Sequence, residues 1–275
     1  MIRANPVEPR RGLAWLAAGW RLFLRAPLRW LSLSFVYLAV AMLLEQIPFI
    51  GWLILVLLSP LFLLGTLPIA ESLAGDGLPA DALPKPPAQH GVREWGLYVR
   101  ELLGRAARRL FAGFSNEDQL LPAMVISTLL LGGVVAVRIL AQLLKVGGAA
   151  LPAMLSGSIG PSVWITALIG LAVVLALELL LLMTFLYTVP LLVFRREYPL
   201  PAIEASFSAA ANSFGAFVLL VGAFLVAGEI CRILFFFLSF PFDYLAFLVI
   251  GLVALPVLIG ALYASYRDLF TKPKR

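Results

Sequence analysis

At positions 51–70 the chain reads GWLILVLLSPLFLLGTLPIA, twenty consecutive residues without a charged side chain. An α-helix rises about 1.5 Å per residue, so this stretch can cover the roughly 30 Å of a bilayer's hydrocarbon core. Inside hydrocarbon a backbone must satisfy its own hydrogen bonds, and a helix does so within one segment. The stretch therefore predicts a transmembrane helix.

The composition of the whole chain gives the same indication. Of its 275 residues, 62% are hydrophobic and 13% are charged, and the mean hydropathy is +0.99. Soluble domains average about 45–50% apolar and about 25% charged residues. One soluble core of this size cannot hide so much apolar surface. We therefore predict an all-α, polytopic transmembrane helical bundle that forms a single membrane domain over residues 1–275.

Two kinds of segment can be assigned along the chain. Apolar runs of membrane-spanning length predict six spans, at residues 27–44, 47–70, 120–144, 163–194, 214–238 and 244–263. Shorter amphipathic segments precede the first, third and fifth spans, at residues 12–25, 93–114 and 201–213. The pattern indicates three units, each an interfacial helix followed by a membrane hairpin.

The basic residues predict the orientation. Six lie before or at the start of the first span, six in the loop after the second, two after the fourth and four in the tail, which makes eighteen of the 21. With six spans, all four segments face one side. The positive-inside rule assigns that side to the cytoplasm. We expect a bacterial inner-membrane protein with both termini in the cytoplasm.

Basic side chains on the amphipathic segments predict contacts with anionic lipid headgroups. In the clearest segment, Trp95, Val99 and Leu102 lie on one stripe, with the charged residues opposite or beside it. Two interpretations remain open, a lipid-sensing or docking surface and a structural collar around the following span. The predicted lipid contacts are Arg21, Arg25, Arg100, Arg105, Arg108 and Arg109.

Four ionisable residues fall within predicted spans and form a candidate polar network: Arg138, Glu178, Glu229 and Arg232. Charges in hydrocarbon cost about 2.5–3.5 kcal/mol each on insertion scales, so they require partners. Glu229 and Arg232 are three residues apart and can pair on one helix face. Glu178, near the middle of its span, is left with Arg138. The quartet predicts either an ion or proton relay or a self-neutralising link between helices.

Catalytic and metal-binding patterns are absent from the sequence. There is no GxSxG, phosphate-binding glycine loop or HExxH motif, and the single Cys231 and single His90 do not form a ligand pattern. The formal charge is +6, and most of the basic residues flank apolar runs. This placement favours anionic lipid over nucleic acid as the partner. We expect a non-enzyme that uses no cofactor or metal and does not bind nucleic acid.

Short motifs beside the spans resemble a family of uncharacterised proteobacterial integral membrane proteins. They are GWRLF at 19–23, LFAGF at 110–114 and the closing LYASYRDLF at 262–270. The resemblance covers residues 11–270 and implies an inner-membrane protein without assigned catalytic or ligand residues. Residues 205–214 also resemble, more distantly, the membrane domains fused to glycerophosphodiester phosphodiesterases. This chain has no such catalytic domain, so that activity is not implied.

Two functions remain as hypotheses. The absence of catalytic motifs and the large interfacial surface favour a non-enzymatic scaffold, assembly or envelope-associated factor, with a protein partner or a second copy of the chain bound to it. The charges within the spans favour a transporter or channel for a small solute or ion, with Glu178 and Arg138 as its working groups. A water-filled cavity that reaches these two residues would favour transport, whereas a solid core with a continuous basic or apolar face would favour a scaffold.

Overall fold

The structure is a computed structural model that describes residues 4–75, 84, 91–144, 161–238 and 243–271. Every regular element in these ranges is a helix, which confirms the all-α prediction. The helices are α1 (Arg11–Arg25), α2 (Pro27–Glu45), α3 (Gly51–Ala74), α4 (Val92–Leu110), a 3₁₀ turn (Phe111–Ser115), α5 (Glu117–Leu143), α6 (Pro161–Phe185), α7 (Thr188–Arg195), α8 (Pro199–Asn212), α9 (Phe214–Leu238) and α10 (Asp243–Phe270).

Five helical segments are long and apolar enough to cross a membrane. They are Pro27–Glu45, Gly51–Ala74, Glu117–Leu143, Leu168–Arg195 and Ile250–Phe270. A bent pair, Pro199–Asn212 with Phe214–Ile230, turns through 90° and would supply a sixth. The described residues thus contain five or six such segments, in agreement with the predicted bundle of about six spans.

Apart from the fourth span, two helices differ in extent from the predicted spans by four residues or more. The second span was predicted from residue 47, but α3 begins at Gly51 because residues 46–50 form the turn after α2. Phe49 in that turn has a φ of 63°, a left-handed conformation that no helix can continue through. At the other end of the chain, α10 continues seven residues past the predicted end, to Phe270. Its last turns are buried, so they pack against protein rather than lipid.

The fourth predicted span, 163–194, is two helices instead of one. The helical structure breaks at Leu186 and Tyr187, between α6 and α7. The Ser206 hydroxyl of α8 accepts a hydrogen bond from the Tyr187 backbone N–H (3.0 Å) and donates one to the Met183 carbonyl (2.9 Å). Pro190 has no N–H, so it leaves another carbonyl of the preceding turn without its helical donor. The break is therefore built into the sequence and stabilised by a neighbouring helix.

The largest buried side chains collect at one end of the bundle. Trp15, Trp30, Tyr187, Phe217 and Leu269 all lie in one buried cluster there. We call this the basic end, because it contains α1, the start of α2, and the last turns of α3, α7 and α10, with their arginines. By contrast, only 22% of the candidate span in α5 and 17% of that in Leu168–Arg195 are buried. Those apolar surfaces suit contact with lipid.

The first helix packs into the bundle through glycines. A Cβ added at Gly19 would lie 2.3 Å from the Val257 carbonyl oxygen of α10, and one at Gly12 would lie 2.3 Å from the Ala216 carbonyl oxygen of α9. The buried face of α1 consists of Gly12, Trp15, Gly19, Leu22 and Phe23. Trp20, on the same helix, is 46% exposed.

The other two amphipathic helices each bury part of a face. In α4, the last residues of the predicted stripe, from Leu102 to Leu110, are buried, while Trp95 and Val99 are exposed. A Cβ at Gly65 of α3 would lie 2.2 Å from the Arg109 carbonyl oxygen, so the last turn of α4 touches α3 directly. In α8 the small residues are buried and Phe207 is exposed.

Candidate functional site

The clearest candidate site is a cleft at the basic end, formed by the two ends of the described chain. Residues of α1 line one wall, and the last turns of α10 line the other, with Ala74 at the end of α3. Its volume is about 1190 Å³, comparable with the roughly 300–1,000 Å³ of small-molecule sites. Four arginines are among its lining residues, Arg11, Arg21, Arg25 and Arg267, and we call it the arginine cleft.

A polar contact between the two walls fixes the shape of the cleft. The indole N–H of the buried Trp15 donates a hydrogen bond to Oδ2 of Asp268 (2.8 Å). Nη1 of Arg11 lies 3.7 Å from the same oxygen. The Asn5 backbone N–H donates to the Leu269 carbonyl (2.9 Å), which brings the N-terminal segment alongside. The Asp268 carboxylate, the one acidic group that the described residues contribute to the lining, is therefore already used in joining α1 to α10.

Two further arginines are positioned by protein groups. Nη1 of Arg25 donates to the Leu73 carbonyl at the end of α3 (2.5 Å). The Arg267 guanidinium lies 5.9 Å from the centre of the Tyr263 ring, within the range of a cation–π contact. Arg21 is exposed and has no hydrogen bond or ion pair in the part of the chain that the structure describes. Its guanidinium is available to a ligand.

Of the six predicted lipid contacts, two line this cleft and four lie on α4. Arg21 and Arg25 belong to the cleft. Arg100 and Arg108 are exposed, and Arg105 pairs with Glu101 one turn away (2.5 Å). An ion pair that is this exposed contributes only about 0–1 kcal/mol to stability. The predicted set is thus divided between two surfaces of the basic end, and lipid contact by these residues stays a prediction.

Within the candidate intramembrane network, the structure does not pair Arg138 with Glu178. Arg138 of α5 and Glu178 of α6 are both exposed, and they form no ion pair with each other. Glu229 is exposed on α9 and interacts with another residue of the protein. The side chain of Arg232 lies outside the described residues, so the predicted Glu229–Arg232 pair is neither supported nor contradicted.

Packing between α5 and α6 sets the depth of the two exposed charges. A Cβ at Gly133 would lie 2.5 Å from Cδ2 of Leu181, and Gln119 reaches the carbonyls of Leu192 and Val193, so the helices run antiparallel. At about 1.5 Å per residue, Arg138 lies about 8 Å and Glu178 about 5 Å beyond the Gly133 level, away from the basic end. The two residues therefore lie within about 3 Å of each other in depth along the helices.

Two arginines of the arginine cleft, Arg11 and Arg267, were not among the predicted ligand contacts. Arg11 lies fourteen positions before the predicted contact Arg25, which is close to four helical turns. Because this spacing puts the two residues on one helix face, Arg11 could have been predicted from the sequence. Arg267 had no such local signal, because its position beside α1 depends on a contact between opposite ends of the chain.

The part of the chain described by the structure contains no group of three or more His, Cys, Asp or Glu residues that could bind a metal ion. Comparison of the chain with family models, curated proteins and solved structures gives no match. The resemblance to proteobacterial integral membrane proteins therefore stays a prediction.

Proposed function

We propose that the chain is a multi-pass protein of a bacterial inner membrane, with both termini in the cytoplasm, that acts as a non-enzymatic scaffold or assembly factor. The proposed orientation rests on the basic residues, eighteen of 21 of which fall in four segments on one side of the predicted spans. The arginines of α1 and those near the ends of α7 and α10 lie at the basic end of the fold, as this orientation requires.

One observation carries the proposed role, namely that α4 is packed at one end and exposed at the other. Leu102, Ala106 and Leu110 are buried against the bundle. The first half of the helix leaves Trp95 40%, Leu97 55% and Val99 46% exposed. A helix that is fixed to a rigid core and presents an aromatic and aliphatic face suits docking of a partner helix at the membrane surface.

The test compares two positions on the same helix. A photo-crosslinking amino acid is placed at Val99, which is exposed, and in a matched variant at Leu102, which is buried. We expect irradiation of cells to give one identified protein adduct from position 99 that is lost when Trp95→Ala is added, and no such adduct from position 102. Adducts with lipid alone from position 99 would refute the scaffold role and leave α4 as a structural collar.

One observation favours the alternative, transport of a small solute or ion. Arg138 and Glu178 lie at a common depth and carry opposite charges, and the described residues do not pair them. The arginine cleft, however, has neither residue in its lining. From Leu120, Arg138 is about 27 Å along α5, close to the far boundary of a roughly 30 Å hydrocarbon core. A long side chain there can reach the headgroups.

Flux measurements separate the two functions. The scaffold proposal expects proteoliposomes with the wild-type chain to be no more permeable to protons and small ions than empty liposomes. Transport would instead give a flux that Glu178→Gln removes and that the exposed control Glu117→Gln leaves unchanged. Such a result would replace the scaffold proposal.

A further inference from the structure

The arginine cleft combines high positive charge with an apolar border, and its surroundings determine which ligand fits. Among the described residues, four arginines and one carboxylate line the cleft, and that carboxylate is engaged by Trp15 and Arg11. Guanidinium groups bind phosphate through paired, charge-assisted hydrogen bonds. We propose that the cleft is a discrete site for the phosphate headgroup of one acidic phospholipid, bound in a one-to-one complex.

The arrangement of the arginines favours a bound ligand over a diffuse ionic atmosphere. Arg25 is fixed by the Leu73 carbonyl, and Arg267 by its contact with the Tyr263 ring. Side chains that are already ordered lose less conformational entropy when a ligand binds. Arg21, exposed on the wall formed by α1, completes the phosphate contacts.

The apolar border favours a lipid over a soluble phosphate compound. Leu24 lines the cleft and is 56% exposed, and Leu28, on the first turn of α2, is 41% exposed. Because α2 is a candidate membrane span, these leucines lead from the cleft toward the hydrocarbon. A headgroup among the arginines would place its acyl chains along this apolar surface, where each buried CH₂ contributes about 0.8 kcal/mol. A free phosphate ester gains nothing from the leucines.

The site also gives a reason for the contact between the chain's two ends. Arg11, Arg21 and Arg25 belong to α1, whereas Arg267 and Asp268 belong to the end of α10. A lipid held by both walls would strengthen their packing by mass action, because it binds the folded state alone. This inference does not depend on the scaffold role, which concerns α4.

The experiment measures bound lipid and thermal stability together. The full chain is purified in detergent, and native mass spectrometry counts bound dioleoyl phosphatidylglycerol, with dioleoyl phosphatidylcholine as the neutral-headgroup comparison. We expect one phosphatidylglycerol per chain, an apparent affinity at least tenfold above that for phosphatidylcholine, and a higher melting temperature with the bound acidic lipid.

Matched arginine variants then locate the site. Loss of a hydrogen bond to a charged group gives a change of roughly tenfold in affinity. We therefore expect Arg21→Gln to weaken phosphatidylglycerol binding about tenfold, Arg21→Lys to weaken it less, and the exposed Arg93→Gln on α4 to leave it unchanged. Arg21 is exposed, so these variants should keep the wild-type melting temperature without lipid.

Two outcomes would overturn the proposal. Equal weakening by Arg21→Gln and Arg93→Gln would mean that lipid binds through diffuse charge, with no discrete site. Displacement of the lipid by millimolar glycerol 1-phosphate, with retention of that compound in the cleft, would identify a soluble phosphate ester as the ligand. Retention of phosphatidylglycerol in its presence, with sensitivity to Arg21→Gln alone, would support the lipid site.

Discussion

Individual residues decide where the first helix packs. Gly19 of α1 and Gly260 of α10 touch so closely that a Cβ added at Gly260 would lie 2.9 Å from the Gly19 Cα. Beside this contact, Trp15 is 2% exposed and its indole N–H is paired with Asp268. The glycines allow the close approach, and the Trp15–Asp268 hydrogen bond fixes the orientation of the helices about it.

Replacing Gly19 with alanine should destabilise the fold. The new Cβ would lie 2.3 Å from the Val257 carbonyl oxygen and 2.7 Å from the Ala261 nitrogen, both backbone atoms that cannot move alone. We expect a loss of about 1–3 kcal/mol, the usual cost of overpacking, seen as a lower melting temperature in detergent. The control is Gly104→Ala, because its Cβ meets nothing within 4 Å. It should match or exceed the wild type, since alanine is the better helix former. Equal melting temperatures for both variants would contradict the close contact.

Removing the Asp268 carboxylate should loosen the end of α10. Asp268→Ala leaves the Trp15 indole N–H, on a buried side chain, without an acceptor, at a cost of about 1–3 kcal/mol. Asp268→Asn keeps an acceptor oxygen and should lose much less. Tryptophan fluorescence and thermal unfolding of the two variants measure the difference. If they are equally unstable, charge pairing with Arg11 matters more than the indole hydrogen bond.

At the scale of single helices, the apolar faces were predictable only where large side chains pack. The stripe from Leu102 to Leu110 was identified from its periodicity and is buried. In α1 and α8 the faces that pack are built around Gly12, Gly19 and Ala205, which contribute little to a hydrophobic pattern. Close helix packing selects small residues, whereas a periodicity argument weights large ones. Trp20 of α1 and Phe207 of α8 are left exposed.

The break between α6 and α7 depends on one hydroxyl from a third helix. Ser206→Ala removes both the acceptor for the Tyr187 N–H and the donor to the Met183 carbonyl, in a fully buried place. We expect a loss of about 1–3 kcal/mol and faster hydrogen exchange at Tyr187. Ser208→Ala, two residues along and exposed, serves as the control and should behave as the wild type. Unchanged exchange at Tyr187 in Ser206→Ala would mean that another group stabilises the break.

For the whole molecule, the sequence predicted what depends on composition and missed what depends on distant contacts. The spans and the clustering of arginines at one end follow from hydropathy and charge, which can be read locally. The arginine cleft joins residues more than two hundred positions apart, such as Trp15 and Asp268, and no periodicity encodes that contact. The common depth of Glu178 and Arg138 likewise became clear only through the packing of Gly133 on Leu181.

The proposed orientation leads to a labelling pattern that can be measured directly. The chain contains a single cysteine, Cys231, so Cys231→Ser gives a background without thiols. In that background Gln46→Cys lies in the turn between α2 and α3, and Tyr198→Cys lies between α7 and α8, at the basic end. Both positions are exposed. Because one α-helical span separates the start of α2 from Gln46, the two cysteines should lie on opposite sides of the membrane.

A membrane-impermeant maleimide should therefore label Gln46→Cys in intact spheroplasts and label Tyr198→Cys only after lysis. The physical reason is the excess of arginine and lysine at the basic end, which resists translocation to the outer side. Labelling of both cysteines in lysed spheroplasts shows that neither is shielded by the fold. The reverse pattern would invert the protein in the membrane and place the arginine cleft in the outer leaflet. Labelling of both positions in intact spheroplasts would require an even number of crossings between them, whereas the six-span arrangement has three, so that arrangement would then be wrong.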